Sequence, residues 1–466
     1  MNTPVAAPEP QGVEQFLYEK RQKIYPREVH GLFARLRVTS VLVLLGLFYG
    51  VVWLQWDGRQ AVLWDLPARK FYVWGWVFWP QDFIYLTLLL ILAGLALFFF
   101  TTIAGRVWCG YACPQTVWTE TFLWIERVVE GDRPSQMKLD RAPWSLRKLR
   151  IKLTKHFLWI VFSLFTGFTF VGYFTPIRPL GPALLNLEVG GWATFWTLFY
   201  GFATYGNAGW LREQVCKYMC PYARFQGAMF DRDTLVVSYD PGRGEPRGSR
   251  KRSIDHKAAG LGDCIDCGFC VQVCPTGIDI RKGLQYECIG CSACIDACDS
   301  VMDKMGYAPG LIRYTTQNTL EGRPVRLLRP RVLVYAAILF AVIAGLVWSI
   351  ATRTPIGLDV LRDRNQLFRE SDDGRIENVY TLRIINMDRA AHEFSLAAAG
   401  MDHLELVMDA AHVRAEPGEV VDLPVRLRAG EDEIDQRSTP VRFTLTALDD
   451  STLTATEESR FLGPAP

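Results

Sequence analysis

The chain carries almost no net charge: 51 Lys and Arg stand against 49 Asp and Glu, a formal balance of +2 over 466 residues. Bulk electrostatics therefore argue against a nucleic-acid partner, which needs a basic surface. The opening stretch MNTPVAAPEPQGVEQFLYEKRQKIYPREVHG has no short apolar region ending in a small-residue cleavage site, and no twin-arginine pair. Nothing is expected to be removed from it, and the first apolar span is expected to direct insertion. A phosphate loop is also missing, since GRGEPRG does not connect a strand to a helix and reads as a flexible basic linker. No cysteine follows Arg353, so disulfides do not hold the last part of the chain.

What is abundant is apolar and aromatic. Half of the residues are hydrophobic, and 15 Trp and 27 Phe gather in blocks, the pattern of a membrane protein with soluble attachments. A helix crossing the hydrocarbon layer needs about 20 mostly apolar residues. Five segments qualify: Leu36 to Trp56, Phe83 to Ile103, Phe157 to Thr175, Trp192 to Trp210 and Val332 to Ile350. The fourth is rich in Gly, Thr and aromatics, and a buried core helix is its competing reading. Basic runs RAPWSLRKLRIKLTK and RGSRKR follow the second and fourth spans, whereas PIRPLGPALLNLEVGG has a single Arg. The N-terminus is therefore expected in the cytoplasm and, after five spans, the C-terminus outside. The aromatic cluster Phe71 to Trp79 reads as an interfacial belt.

After Arg353 apolar and polar residues alternate. VYTLRIIN, EFSLAAAG, LELVMDA, EVVDLPVRLRAG and TPVRFTLTALDD read as strands, with EPGE and AGEDE as turns, so a small all-β immunoglobulin-like domain is expected. Met401, His403, Met408 and His412 within it read as ordinary side chains rather than a copper site. The expected organisation is a cytoplasmic segment 1–35, a four-helix membrane region 36–220, a basic linker 221–257, a ferredoxin domain 258–305, a second linker 306–331, a fifth transmembrane helix 332–350 and an all-β domain 354–466 outside the membrane, in the periplasm if the family resemblance below holds.

The 12 cysteines fall in four clusters with metal-ligand spacing, and they read as reduced ligands. CIDCGFCVQVCP supplies Cys264, Cys267, Cys270 and Cys274 in the bacterial ferredoxin run C-x2-C-x2-C-x3-C-P, and CIGCSACIDAC supplies Cys288, Cys291, Cys294 and Cys298, with Asp299 where proline is usual. In two-cluster ferredoxins the fourth cysteine of each run crosses to the other cluster. One 4Fe-4S cluster then takes Cys264, Cys267, Cys270 and Cys298, and the other takes Cys288, Cys291, Cys294 and Cys274. Zinc sites are the competing reading, but their C-x2-C pairs lack the third and fourth cysteines. Gly268 and Gly290 suit the close backbone approach of such loops.

Two further pairs, VWCGYACPQ and VCKYMCPYA, each follow an apolar segment. In a helix Cys109 and Cys113 share one face, as do Cys216 and Cys220, so the two pairs, if they meet, offer four sulfurs to a copper or other redox site, thiolate selecting Cu(I), zinc or an iron-sulfur cluster over harder ions. Buried cysteines at a helix seam are the alternative. Met219, inside the second pair, reads as packing.

This order of parts, from KIYPREVHG through two C-x3-C-P pairs, twin ferredoxin runs and a fifth span to a C-terminal sandwich, resembles the CcoG family, also called FixG or RdxA. These are accessory proteins for assembly of the cbb3-type cytochrome c oxidase. The C-x3-C-P pairs alone are shared with the membrane ferredoxins NapH and NosR, and the added sandwich favours CcoG. The resemblance implies a multi-pass protein of the bacterial inner membrane, two 4Fe-4S clusters, and reduction of Cu(II) to Cu(I) for the oxidase or its copper chaperones. The expected relay runs from an unidentified cytoplasmic donor through the clusters to copper at Cys109, Cys113, Cys216 and Cys220 or nearby. Two other readings compete: a membrane ferredoxin serving the quinone pool or a periplasmic reductase, and a non-catalytic assembly scaffold.

Overall fold

The structure, a computed structural model, describes residues 23–464 apart from 364–365, 372–373, 389 and 435. It divides into two compact units, Met1–Trp64 with Ile91–Leu339 and Asp65–Leu90 with Phe340–Pro466. In chain order the helices are α1 (Leu32–Val51), α2 (Phe83–Ala104), α3 (Val107–Tyr111), α4 (Pro114–Glu130), α5 (Arg133–Arg141), α6 (Leu146–Gly172), α7 (Ile177–Leu185), α8 (Gly191–Thr204), α9 (Pro221–Met229), α10 (Pro241–Gly244), α11 (Phe269–Gln272), α12 (Ala293–Met305), α13 (Gln317–Leu320) and α14 (Pro330–Ala351).

Among the described residues four helices are long and apolar enough to cross a membrane by length and composition: α1, Pro80–Ala104, α6 and α14. Their Leu42, Leu90 and Phe340 are 67, 63 and 68% exposed, so protein does not cover these faces and hydrocarbon suits them. The segment expected as a fourth span differs from the other four. Only 14 residues form α8, and the chain continues as a π-helix over Tyr205–Leu211. Small residues bring α8 hard against α6: a Cβ on Gly167 would lie 2.1 Å from the Thr197 carbonyl oxygen.

The cysteine runs lie within a body wider than 258–305. Two antiparallel strands, Val236–Tyr239 and Ile312–Thr315, come from the stretches read as linkers, and Val237, Tyr239, Leu311 and Ile312 bury themselves with Cys264, Cys270, Ile280, Ile295 and Met302. The stretch read as a flexible basic linker is folded onto the first cysteine loop. Gly248 N–H donates to the Cys264 carbonyl oxygen at 3.2 Å, and the Arg250 guanidinium donates to the carbonyls of Cys264 and Gly262. Sequence pattern alone misses this because carbonyl oxygens, not a hydrophobic period, are what order the segment.

The same body caps the first span. Gly31 supplies no side chain to the start of α1, and Asp296 of α12 does so instead, accepting from Phe33 N at 3.2 Å and Ala34 N at 2.7 Å. A Cβ on Gly31 would sit 2.3 Å from that carboxylate, which explains the glycine.

In the second unit the cluster Phe71 to Trp79 forms a hairpin of Lys70–Val73 and Trp76–Phe78. Its Lys70 Nζ donates to the Gly418 carbonyl at 2.8 Å, and Asp82 just beyond it pairs with Arg353 at 2.5 Å. The remainder is a sandwich. One sheet contains Glu405–Val407, Val420–Ala429, Ile376–Asn386 and Ile356–Arg362 in that order, with Arg369–Glu370 also on Ile376–Asn386; the other contains Val413–Ala415, His392–Ala399, Ser438–Ala447 and Thr454–Leu462. Alternate residues Tyr380, Leu382 and Ile384 meet Phe394, Phe443, Leu445 and Phe461 in the core. Met401 and Met408 pack against this core, while His403 and His412 are exposed.

Two outcomes follow. Asp296→Ala removes both acceptors at α1 and is expected to cost about 0.5–2 kcal/mol, read as a lower melting temperature of the intact chain; an unchanged value would show that the cap does not hold α1. His392 lies between Asp388 and Asp449, at 2.9 and 2.7 Å. Burial pulls its pKa down, but the hydrogen bonds to Asp388 and Asp449 outweigh burial and hold it above the ordinary value. Its stabilisation is then complete below the unfolded value of about 6.5 and fades as pH rises through the higher folded value. His392→Gln should lower the melting temperature of the sandwich near pH 6 and change it little near pH 9, and equal losses at both would rule out the charge pairing.

Candidate metal centres

Each ferredoxin loop turns twice through left-handed backbone. In the first, Asp266 and Gly268 flank Cys267 with φ of 53° and 64°; in the second, Gly290 and Ser292 flank Cys291 with φ of 68° and 60°. Left-handed residues on either side of the middle cysteine wrap the chain tightly enough to present three sulfurs inward. The two loops are thus built alike, although only one left-handed position in each is glycine.

The crossing of the fourth cysteines is visible in the packing. Cys264, Cys267, Cys270 and Cys298 line one cavity with Phe269, Met302, Leu311 and Ile312. Cys274, Cys288, Cys291 and Cys294 line a second with Ile278, Ile280 and Ile289, and Cys270 borders both. Both have mostly apolar walls. Thiolate sulfurs on four sides of an apolar cavity fit a cubane cluster. Asp299, where the first run has proline, lets α12 continue through Cys298 to Met305, and its carboxylate accepts from Gly310 N at 2.7 Å.

The C-x3-C-P pairs depart from the helical expectation. Helix α3 ends at Tyr111, and Cys113 takes an extended conformation as N-cap of α4, whose first residue is Pro114. Cys216 lies in a π-helical turn, Val215–Met219, and Cys220 is the extended N-cap of α9, which opens on Pro221. In neither pair do both cysteines sit in one helix. The residue before a proline is pushed out of the α region, and proline is favoured at the first helical position, so each motif ends one helix and starts another.

The two pairs nonetheless meet. Every pairing among Cys109, Cys113, Cys216 and Cys220 is close enough for the thiols to interact electrostatically, and burial pushes Cys109 up to about 11 and Cys216 up to about 12. Gln115, next after Pro114, donates to the carbonyls of Asn207 and Arg212 at 2.9 and 3.1 Å, fastening the first motif to the approach to the second. Gln226 of α9 donates from Nε2 to Cys109 Sγ at 3.4 Å. Met219 is exposed. Among the described residues no three Cys, His, Asp or Glu side chains converge on a single metal ion, which holds for these four cysteines and the ferredoxin runs alike.

The four-sulfur site adjoins the second ferredoxin loop. A Cβ on Gly110 would lie 2.8 Å from the Gly290 carbonyl oxygen and 2.9 Å from Cys291 Cα. Beside this contact the buried Arg106 guanidinium donates to the carbonyls of Tyr286, of Cys288 at 3.0 Å, and of Ala223 at 2.9 Å. Sequence reasoning missed Arg106, which stands three residues before Cys109 as an isolated basic residue at the end of an apolar segment.

Comparison with known proteins agrees with this division. A family described as a 4Fe-4S dicluster domain matches residues 211–317, one described as a 4Fe-4S binding domain matches residues 85–131, and one described as the Ig-like fold at the C-terminus of FixG matches residues 346–464. The nitrogen fixation protein FixG of Rhizobium meliloti (strain 1021) is 41% identical over 422 residues, covering 83% of this chain and 80% of that protein. Proteins RdxB and RdxA of Cereibacter sphaeroides are 42% and 43% identical over 424 and 400 residues, covering 88% and 82% of this chain and 87% and 84% of theirs. A crystal structure of a FixG-related protein from Vibrio parahaemolyticus is 38% identical, covering 23% of this chain and 95% of its own, with a TM-score of 0.22.

Gly110→Ala is expected to force α3 away from the second loop and cost about 1–3 kcal/mol. The measurement is the midpoint of chemical denaturation, and an unchanged midpoint would show that the contact is not tight.

Proposed function

The chain belongs to the FixG family, and we propose that it reduces Cu(II) to Cu(I) during assembly of the copper site of a cbb3-type cytochrome c oxidase. The coarser statement, an iron-sulfur electron-transfer protein, already stands on the matched families and the two cysteine-lined cavities. The finer one rests on the contact of Gly110 with Gly290 and Cys291, which sets a four-thiol site against the second ferredoxin loop.

In this reading Cys264, Cys267, Cys270 and Cys298 hold one 4Fe-4S cluster, and Cys288, Cys291, Cys294 and Cys274 hold the other. Bound there, the clusters accept and give up single electrons, and reduction of each Cu(II) consumes one. Cys267, exposed where Cys264 and Cys270 are buried, marks the face on which an electron donor approaches. Cys270 borders both cavities and shortens the step between them. Cys109, Cys113, Cys216 and Cys220 form the soft metal or redox site at which electrons leave toward copper. The ferredoxin body and N-terminus face the cytoplasm and the sandwich the periplasm of an inner membrane, consistent with the basic loops.

The test is anaerobic mixing of the dithionite-reduced chain, freed of excess reductant, with Cu(II) and a Cu(I) chelator. One Cu(I) should be captured for each electron the clusters lose. Clusters that stay reduced in Cu(II) but are reoxidised by a quinone analogue would replace this reading with the membrane-ferredoxin one, and clusters that resist reduction would favour the scaffold.

A further inference from the structure

Eight cysteines line the two ferredoxin cavities, and four remain. We propose that Cys109, Cys113, Cys216 and Cys220 together hold a third 4Fe-4S cluster, placed next after the second ferredoxin loop. The inference takes its purpose from the relay reading above but does not depend on copper as the acceptor, and copper becomes the ion reduced from this site rather than its resident.

The spread of the sulfurs carries the argument. A lone Zn(II) draws its thiolates to about 2.3 Å, and a single Cu(I) likewise needs its sulfurs gathered on one point. These four thiols interact electrostatically in every pairing, yet among the described residues no three Cys, His, Asp or Glu side chains converge on one ion, and the ferredoxin cysteines, gathered around their two cavities, behave alike. A cubane asks for that arrangement, because each sulfur binds its own iron. Among the described residues no carboxylate or imidazole joins the set to make a harder site.

The surroundings fit a cluster as well. Gln226, fully buried, aims its amide at Cys109 Sγ, and N–H donors to sulfur are a recognised way of tuning such centres. The Nε of Arg106 is buried and has no hydrogen-bond partner, and the guanidinium lies within electrostatic reach of Cys109 and Cys216. A positive charge with an unused N–H beside two of the four thiolates offsets part of the net negative charge of a thiolate-bound cluster. Finally, residues 85–131, which match a 4Fe-4S binding family, contain two cysteines, Cys109 and Cys113. A cubane needs four, and Cys216 and Cys220 are the further pair that the fold brings to them.

The test is the iron and acid-labile sulfide content of the intact chain, purified anaerobically, with electron paramagnetic resonance. Three clusters give about twelve irons per chain. The double variant Cys109→Ser with Cys216→Ser should lose a third of the iron and sulfide and one spectral component. Gln226→Leu should keep the full iron count while shifting the midpoint potential of that same component. About eight irons in the unaltered chain overturns the proposal, whether or not the double variant accumulates, and so does undiminished iron in the double variant. A full iron count with no reduction of Cu(II) would sink the copper reading and leave the third cluster standing.

Discussion

Gly110 and Gly290 have no side chains where the C-x3-C-P turn meets the second ferredoxin loop, and this lets two backbones approach to van der Waals contact. Gly290 also keeps φ at 68°, a conformation that a β-carbon resists, and such a carbon would lie 3.0 Å from the Arg106 carbonyl oxygen. The rest of the redox half depends on that junction. Arg106 fixes it from one side with a guanidinium that serves three carbonyl oxygens on two different segments. Burying a cation is costly unless partial negative charge surrounds it, and carbonyls supply it without ion-pairing the charge away. The positive charge therefore stays available to the sulfurs beside it.

The grouping of the four C-x3-C-P cysteines owes its shape to interrupted helices. A continuous helix would put each cysteine pair on one face, but the prolines restart the chain at the second cysteine, so α4 and α9 leave in new directions. On the second arm the interruption begins earlier, with π-helical turns on both sides of Arg212, whose own φ is 45°. Wide turns of this kind are common at functional sites, since they re-aim side chains without leaving the helix altogether. Gln115 accounts for two of the carbonyls there, and the backbone N–H of Arg212 bonds to Asn207 at 2.7 Å.

Much of this was legible in the sequence, and the exceptions share a cause. The ferredoxin spacing named the cysteines that line each cavity, because loop geometry dictates that spacing. Strands with an alternating pattern were found in the sandwich, while Ile356–Arg362 and Thr454–Leu462 were overlooked beside spans and charged stretches that mask the alternation. The helical reading of Cys109 and Cys113 weighed the i, i+4 spacing above the constraint that proline places on the residue before it. The basic stretch after Glu245 looked unstructured because its order comes from arginine and backbone hydrogen bonds to Cys264 and Gly262, which leave no period in the sequence. Arg106 and Gln226 were invisible for a related reason: their roles depend on partners more than a hundred residues away.

The segment KIYPREVHG entered as part of a family resemblance, and its contacts give it a physical role. Tyr25 and Lys23 both reach Asp140 of α5 at 2.7 Å, Arg27 N–H bonds to the Gln272 carbonyl at 2.8 Å, and Ile24 fills the space over Gly277. With Asp296 on α1 and Arg37 donating to the Cys291 carbonyl at 2.5 Å, the ferredoxin body is held to the helices at several separate points. A domain tethered by one linker would shuttle between donor and acceptor. One fastened at so many points keeps its cysteine loops at fixed distances from the C-x3-C-P turns, so on the relay proposed above electron transfer would depend on preorganised geometry rather than on domain motion.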